Sequence, residues 1–148
     1  MILIVPLAES HIEGLRRLRN RPEIRGQLVH DQEISPEQQR IWFSRYERNP
    51  DDHLWVGLDA AGHVVAAAGY TRDPDGWAEF GRLMVDRNVP EARGCGKDLL
   101  RFVLAAAGSP VYLRVKPDNV HAIRLYDAHG FVAVGESGGL LRMECRQP

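Results

Sequence analysis

The chain has 148 residues, 44% hydrophobic and 26% charged, with a formal net charge of -1. That length suits one domain with a real core and is too short for two ordinary ones, so a single domain over residues 1–148 is expected. The near-neutral balance gives no broad basic field for nucleic acid, and no apolar run approaches the roughly 20 residues of a membrane helix.

Ile2-Leu3-Ile4-Val5-Pro6 reads as a first strand rather than a signal peptide, since no basic leader precedes it, and the cytoplasm is the expected compartment. Ser10 can cap a helix with Ile12, Leu15 and Leu18 on one face, ending near Asn20 before Pro22. Arg16, Arg17, Arg19, Arg21 and Arg25 cluster on this helix and the loop after it. They form either a solvated face or a surface for an anionic acceptor such as a nucleotide diphosphate. A second helix starts at Ser35-Pro36-Glu37-Gln38, a capping box with proline at the first helical position, and carries Ile41, Trp42, Phe43 and Tyr46. Residues 53–58 and 64–72 read as strands joined through Asp59-Ala60-Ala61-Gly62, and Asp73-Pro74-Asp75-Gly76 turns the chain into a third antiparallel strand over 77–85. A glycine-led helix with Leu99, Leu100, Phe102, Val103 and Leu104 follows, then a strand over 111–115. A helix from Asp118 or Asn119 to His129 ends at Gly130 as a left-handed cap. Residues 131–134 form a strand, 135–139 a turn, and 140–145 the last strand. Cys95 and Cys145 have neither a disulfide framework nor a metal-ligand spacing, and no metal is expected.

The chemistry concentrates where Leu83-Met84-Val85 runs into Glu91-Ala92-Arg93-Gly94-Cys95-Gly96-Lys97. The first turn of a helix has N–H groups with no partner, its dipole adds partial positive charge, and glycines let a phosphate approach the main chain. Lys97 either adds charge to this cradle or is a solvated helix lysine. Cys95 sits near a helix N-terminus, which lowers a thiol pKa, but reads as a packing residue. A P-loop is excluded, because Glu91 and Asp98 occupy the positions of its first glycine and its Ser or Thr. A dinucleotide fingerprint lacks its third glycine, replaced by Leu99.

Glu91-x-x-Gly94-x-Gly96 resembles the central motif of the GNAT superfamily, the acyl-CoA-dependent N-acyltransferases, except that Glu91 stands where Gln or Arg is usual. Asn119-x-x-Ala122-x-x-Leu125-Tyr126-x-x-x-Gly130-Phe131 resembles the second signature of the same family. The resemblance implies an α/β (α+β) GNAT fold: a mixed, mostly antiparallel sheet of about seven strands with about four helices, splayed at the fourth and fifth strands. It implies acetyl-CoA as co-substrate, its pantetheine beside Leu83, Met84 and Val85 with pairing to the free main chain of Met84 and Val85. The pyrophosphate would lie over Arg93 to Lys97, with Glu91 and Ala92 leading into the cradle. Asn119 would contact the pantetheine or the helix start, and Tyr126 would be the general acid that protonates the leaving thiolate.

For the general base the resemblance points to Glu79, acting through water, with His53 and His30 as weaker alternatives. A backbone N–H near Val85 would stabilise the oxyanion. Leu18-Arg19-Asn20, Pro22-Glu23-Ile24-Arg25 and the helix at Ser35 resemble a bacterial branch containing amino-sugar-nucleotide and ribosomal-protein N-acetyltransferases. The acceptor is then a small amine such as a nucleotide-linked amino sugar, with a protein N-terminus as the alternative. A non-catalytic acyl-CoA sensor or interaction module is the reading outside enzymology. A homodimer is common in the family, and the strand over 140–145 could pair across one.

Overall fold

Turn signals and apolar alternation divide the chain into seven strands: β1 (Leu3–Pro6), β2 (Asp52–Leu58), β3 (Val64–Arg72), β4 (Ala78–Val85), β5 (Val111–Val115), β6 (Val132–Ser137) and β7 (Leu140–Cys145). Five helices separate them: α1 (Ile12–Arg19), α2 (Pro22–Arg25), α3 (Pro36–Arg48), α4 (Cys95–Ala107) and α5 (Val120–Asp127). The computed structural model describes residues 2–146. Its strands form one sheet in the order β1-β2-β3-β4-β5-β7-β6, antiparallel except at the β4/β5 pair. Among the described residues, no helix is long and apolar enough to cross a membrane.

Local chemistry accounts for most helix ends. The Ser35 hydroxyl accepts from Gln38 N at 3.1 Å while Gln38 Oε1 accepts from Ser35 N at 2.8 Å, satisfying donors that α3 would otherwise leave bare. Asn119 Oδ1 accepts from Ala122 N at the start of α5. Ser10 does not cap α1: it lies inside a 3₁₀ turn, Glu9–His11, with His11 at the N-cap position. The short α2 was not expected; its first turn begins with Pro22, and Arg21 just before it is tethered to Asp86. The expected turn over 135–139 is also narrower. β6 runs on to Ser137, and Gly138 and Gly139, both at positive φ, close a two-residue hairpin to β7.

Two apolar layers sandwich the sheet. Ala67 and Met84 face α1 and α3 through Leu15, Leu18 and Phe43, whereas Ala66, Ala68, Phe80 and Leu113 face α4 and α5 through Leu99, Leu100, Val103 and Tyr126. The three alanines of β3 are fully buried, so both helix layers come close to this central strand. Gly69 extends the same crowding: a Cβ there would lie 2.2 Å from the His53 carbonyl oxygen. β7 lies between β5 and β6 with both edges paired, so it cannot add a strand across a dimer as expected from sequence; the exposed sheet edge on that side is β6.

The sheet opens where the functional residues gather. β4 and β5 pair only through Ala78↔Val111, Glu79↔Tyr112 and Phe80↔Leu113, and beyond Phe80 they diverge. Next to the divergence β4 bulges: its register against β3 passes from Gly69↔Gly81 to Ala67↔Met84, leaving one extra residue on β4. Arg82 in the bulge takes φ 58°, a region that non-glycine residues rarely occupy, and its guanidinium reaches Asp52 Oδ1 at 2.7 Å.

Candidate active site

The divergence of β4 and β5 widens into a cavity of about 1170 Å³, lined along one side by β4 and on the other by α5, the α4 start and the α1–α3 segment. Asp86 N donates to Val65 O at 2.8 Å, so antiparallel alternation turns Met84 towards β3 as well and Val85 away from it. With β5 gone, the Val85 N–H and C=O face the opening. The pairing expected of Met84 is corrected accordingly: its main chain belongs to the β3 ladder.

Glu79, Leu83, Met84, Val85, Arg93, Gly94, Gly96, Lys97, Asn119 and Tyr126 all line the cavity. Glu91, Ala92 and Cys95 do not. Glu91 is an exposed residue of the 3₁₀ turn Pro90–Ala92, Ala92 is fully buried, and Cys95 turns into the core beneath α4. Burial, with Asp98 adding to it, pushes the Cys95 thiol up to about 11, opposite to the lowering expected from the helix N-terminus. Gly94 takes φ 83° as the N-cap of α4, and no side chain caps that helix, so its first-turn N–H groups are left to a ligand. Gly96 needs no special conformation; a Cβ there would make only ordinary contacts with Val85 and Leu125.

Tyr126 is 7% exposed, with the rings of Phe80 and Phe131 edge-on at 5.9 Å each. Its hydroxyl has no hydrogen-bond partner among the described residues, and burial pushes its pKa well above the ordinary tyrosine range. Glu79 is more constrained. Arg114 Nε donates to Glu79 Oε2 at 2.6 Å, and the Tyr112 hydroxyl, which donates to Asp73 Oδ2 at 2.7 Å, stands 3.4 Å from Glu79 Oε1. His30 lines the cavity, but His53 stacks on Tyr70 with ring centroids 4.9 Å apart and lies outside the lining.

The arginine cluster of the N-terminal half is tied up internally. Arg16 and Arg17 pair with Glu13, Arg21 with Glu23 and Asp86, and Arg25 with Glu33, while Arg19 donates to the His30 and Gln32 carbonyls. These bonds hold the segment between α2 and α3 over one end of the cavity. Sequence reasoning missed Arg87, His121 and Arg124, which also line it. The available signal was spacing: residues 121, 124 and 125 share one face of α5.

A sheet split beside a glycine-led helix N-terminus, with an unpartnered phenol in the same cavity, is the arrangement expected of an acyl-CoA-dependent transferase. The acetyltransferase (GNAT) family matches residues 12–131, and the chain belongs to that family. It is 38% identical over 97 residues to the N-alpha-acetyltransferase RimI of Mycobacterium tuberculosis, a match covering 63% of this chain and 60% of that relative. Its fold is similar to spermidine N-acetyltransferase from Vibrio cholerae in complex with CoA and spermine, with TM-score 0.81, 19% identity and 99% and 95% of the two chains covered. It is also similar to an acetyltransferase structure from Salmonella typhimurium with its cofactor acetyl-CoA: TM-score 0.78, 17% identity, 100% and 95% covered.

Proposed function

We propose that this protein transfers the acetyl group of acetyl-CoA to the α-amino group of a peptide or protein, by direct attack within a ternary complex. The observation that carries the transferase reading is the unpaired main chain of Val85 in the β4/β5 opening, beside the bare N-terminus of α4. Pantetheine amides would pair there with the Val85 carbonyl as an added strand does, leaving the Val85 N–H to the thioester oxygen, and the pyrophosphate would rest on the first turn of α4 next to Arg93 and Lys97.

An ammonium acceptor must lose its proton before its nitrogen can attack the thioester carbon. Glu79 takes that proton through water, its carboxylate held in place by Arg114. The negative oxygen that develops is stabilised by the Val85 N–H; the carbon–sulfur bond then breaks, the Tyr126 hydroxyl gives its proton to the thiolate, and the extra proton on the new amide nitrogen passes to the phenolate and restores it. The pinning of Glu79 supports relay through water over direct contact, because Arg114 already occupies one oxygen of the carboxylate.

The choice of acceptor is supported by the RimI relative and by the internal pairing of the arginines. The N-terminal arginines that would hold the diphosphate of a nucleotide-linked amino sugar, the acceptor expected from the sequence, are Arg16, Arg17, Arg19, Arg21 and Arg25, and all are engaged elsewhere. The test is release of free CoA from acetyl-CoA in the presence of N-terminal peptides, nucleotide-linked amino sugars and polyamines. Turnover confined to peptides with a free α-amino group is the expected result; preference for an amino sugar or a polyamine overturns the acceptor assignment. CoA binding with no turnover of any amine favours the sensor reading.

A further inference from the structure

The charges around the cavity do not balance, and the imbalance is local. The acids that line it are all paired: Glu23 and Asp86 with Arg21, Glu79 with Arg114. Four of its arginines are also engaged: Arg19 by the His30 and Gln32 carbonyls, Arg82 by Asp52, Arg114 by Glu79 and Arg93 by the Arg87 carbonyl. Arg87, Lys97 and Arg124, by contrast, have no carboxylate within ion-pair distance among the described residues.

These three come from separate elements and line the same cavity, where Arg87 and Arg124 both lie close enough to act on His121. Arg87 follows β4, Lys97 lies in the first turn of α4, and Arg124 is on α5. Leu125 packs within 3.8 Å of where a Gly96 Cβ would be, so α5 brings His121 and Arg124 to the start of α4. Arg93 Nε bonds the Arg87 carbonyl at 3.0 Å, which holds the loop after β4 beside the same helix start. His121 lies in the field of Arg87 and Arg124, and desolvation together with their charge lowers its pKa.

Positive charges with no internal partner repel one another and need an anion to offset them. The helix start already takes one anion, the pyrophosphate of the co-substrate in the reading given above. CoA carries a second, the 3′-phosphate, one ribose away from the first.

We propose that Arg87, His121 and Arg124 form a separate subsite for the ribose 3′-phosphate of CoA, so that the protein discriminates CoA from 3′-dephospho-CoA. The inference rests on the transferase reading, since it assumes that CoA occupies the cavity. It concerns which end of CoA is read, not whether acetyl transfer occurs.

The test measures equilibrium binding of CoA and of 3′-dephospho-CoA by calorimetry, with no acceptor present. Wild-type protein should bind CoA at least about tenfold more tightly, the worth of one charge-assisted hydrogen-bond set. Arg124→Gln and Arg87→Gln should each shrink that ratio, and the double variant should bring it near one, with the affinity for 3′-dephospho-CoA almost unchanged. Because both side chains are exposed, the variants are expected to fold. Equal binding of the two ligands by the wild type, or a ratio that survives the double substitution, overturns the subsite and leaves the transferase reading standing. If neither ligand binds, both fall together.

Discussion

Tyr126 carries the sharpest single-residue expectation. Its ring is fixed between Phe80 and Phe131, so removing only the hydroxyl leaves the packing intact. Tyr126→Phe should lower kcat by about 100-fold, the usual worth of a positioned acid, with CoA affinity unchanged. A kcat within a factor of a few of wild type takes the phenol out of the mechanism. The raised pKa sets a second expectation, for stability. An unfolded tyrosine loses its proton near about pH 10, whereas the folded Tyr126 keeps it to higher pH. The folded state therefore holds more protons, and the stabilisation is present below that pH and lost as pH rises beyond it. Thermal unfolding followed from pH 8 to 11 should show wild type losing more stability at the alkaline end than Tyr126→Phe, with equal losses speaking against burial as the cause.

At the scale of single elements, glycines mark the positions where side chains are not tolerated, for two different reasons. Gly94→Ala meets no neighbour but must hold φ 83°, so it should cost about 1–2 kcal/mol and weaken CoA binding by distorting the start of α4. Gly69→Ala keeps an ordinary strand conformation but drives its methyl into the His53 carbonyl, and should cost about 3 kcal/mol without touching the site. Denaturant unfolding separates the two, since Gly69→Ala should bind CoA normally when folded. What was legible in the sequence was whatever a few adjacent residues decide: the Ser35 box, the left-handed Gly130, and the order of strands. What was not legible depends on distant partners. α2 sits beside the Arg21–Asp86 pair, the Cys95 thiol pKa is raised rather than lowered because α4 presses it into the core, and Glu91 is turned out by a short 3₁₀ turn. Arg87 and Arg124 lie 37 positions apart, and no local pattern announces that they meet.

For the molecule as a whole, the site exists because the sheet is interrupted. Proline in a central strand normally removes a ladder hydrogen bond and costs about 3 kcal/mol or more in a comparable backbone setting. The rule should fail at one position of β4. Val85 turns its N–H away from β3 and has no β5 opposite, so Val85→Pro removes a donor that no strand uses. Met84→Pro, one residue earlier, removes an N–H that alternation assigns to Ala67, within a side chain only 3% exposed. Met84→Pro should therefore fail to fold stably, whereas Val85→Pro should retain a cooperative thermal transition and the circular dichroism of the parent. Its transfer rate should still fall by about 100-fold or more, because in the proposed mechanism the lost N–H is the one that stabilises the oxyanion. If Val85→Pro unfolds like its neighbour, that main chain belongs to the ladder and the opening is not where the thioester lies. If it folds and transfers normally, the oxyanion is held by another group, and the interruption of the sheet serves only to admit pantetheine.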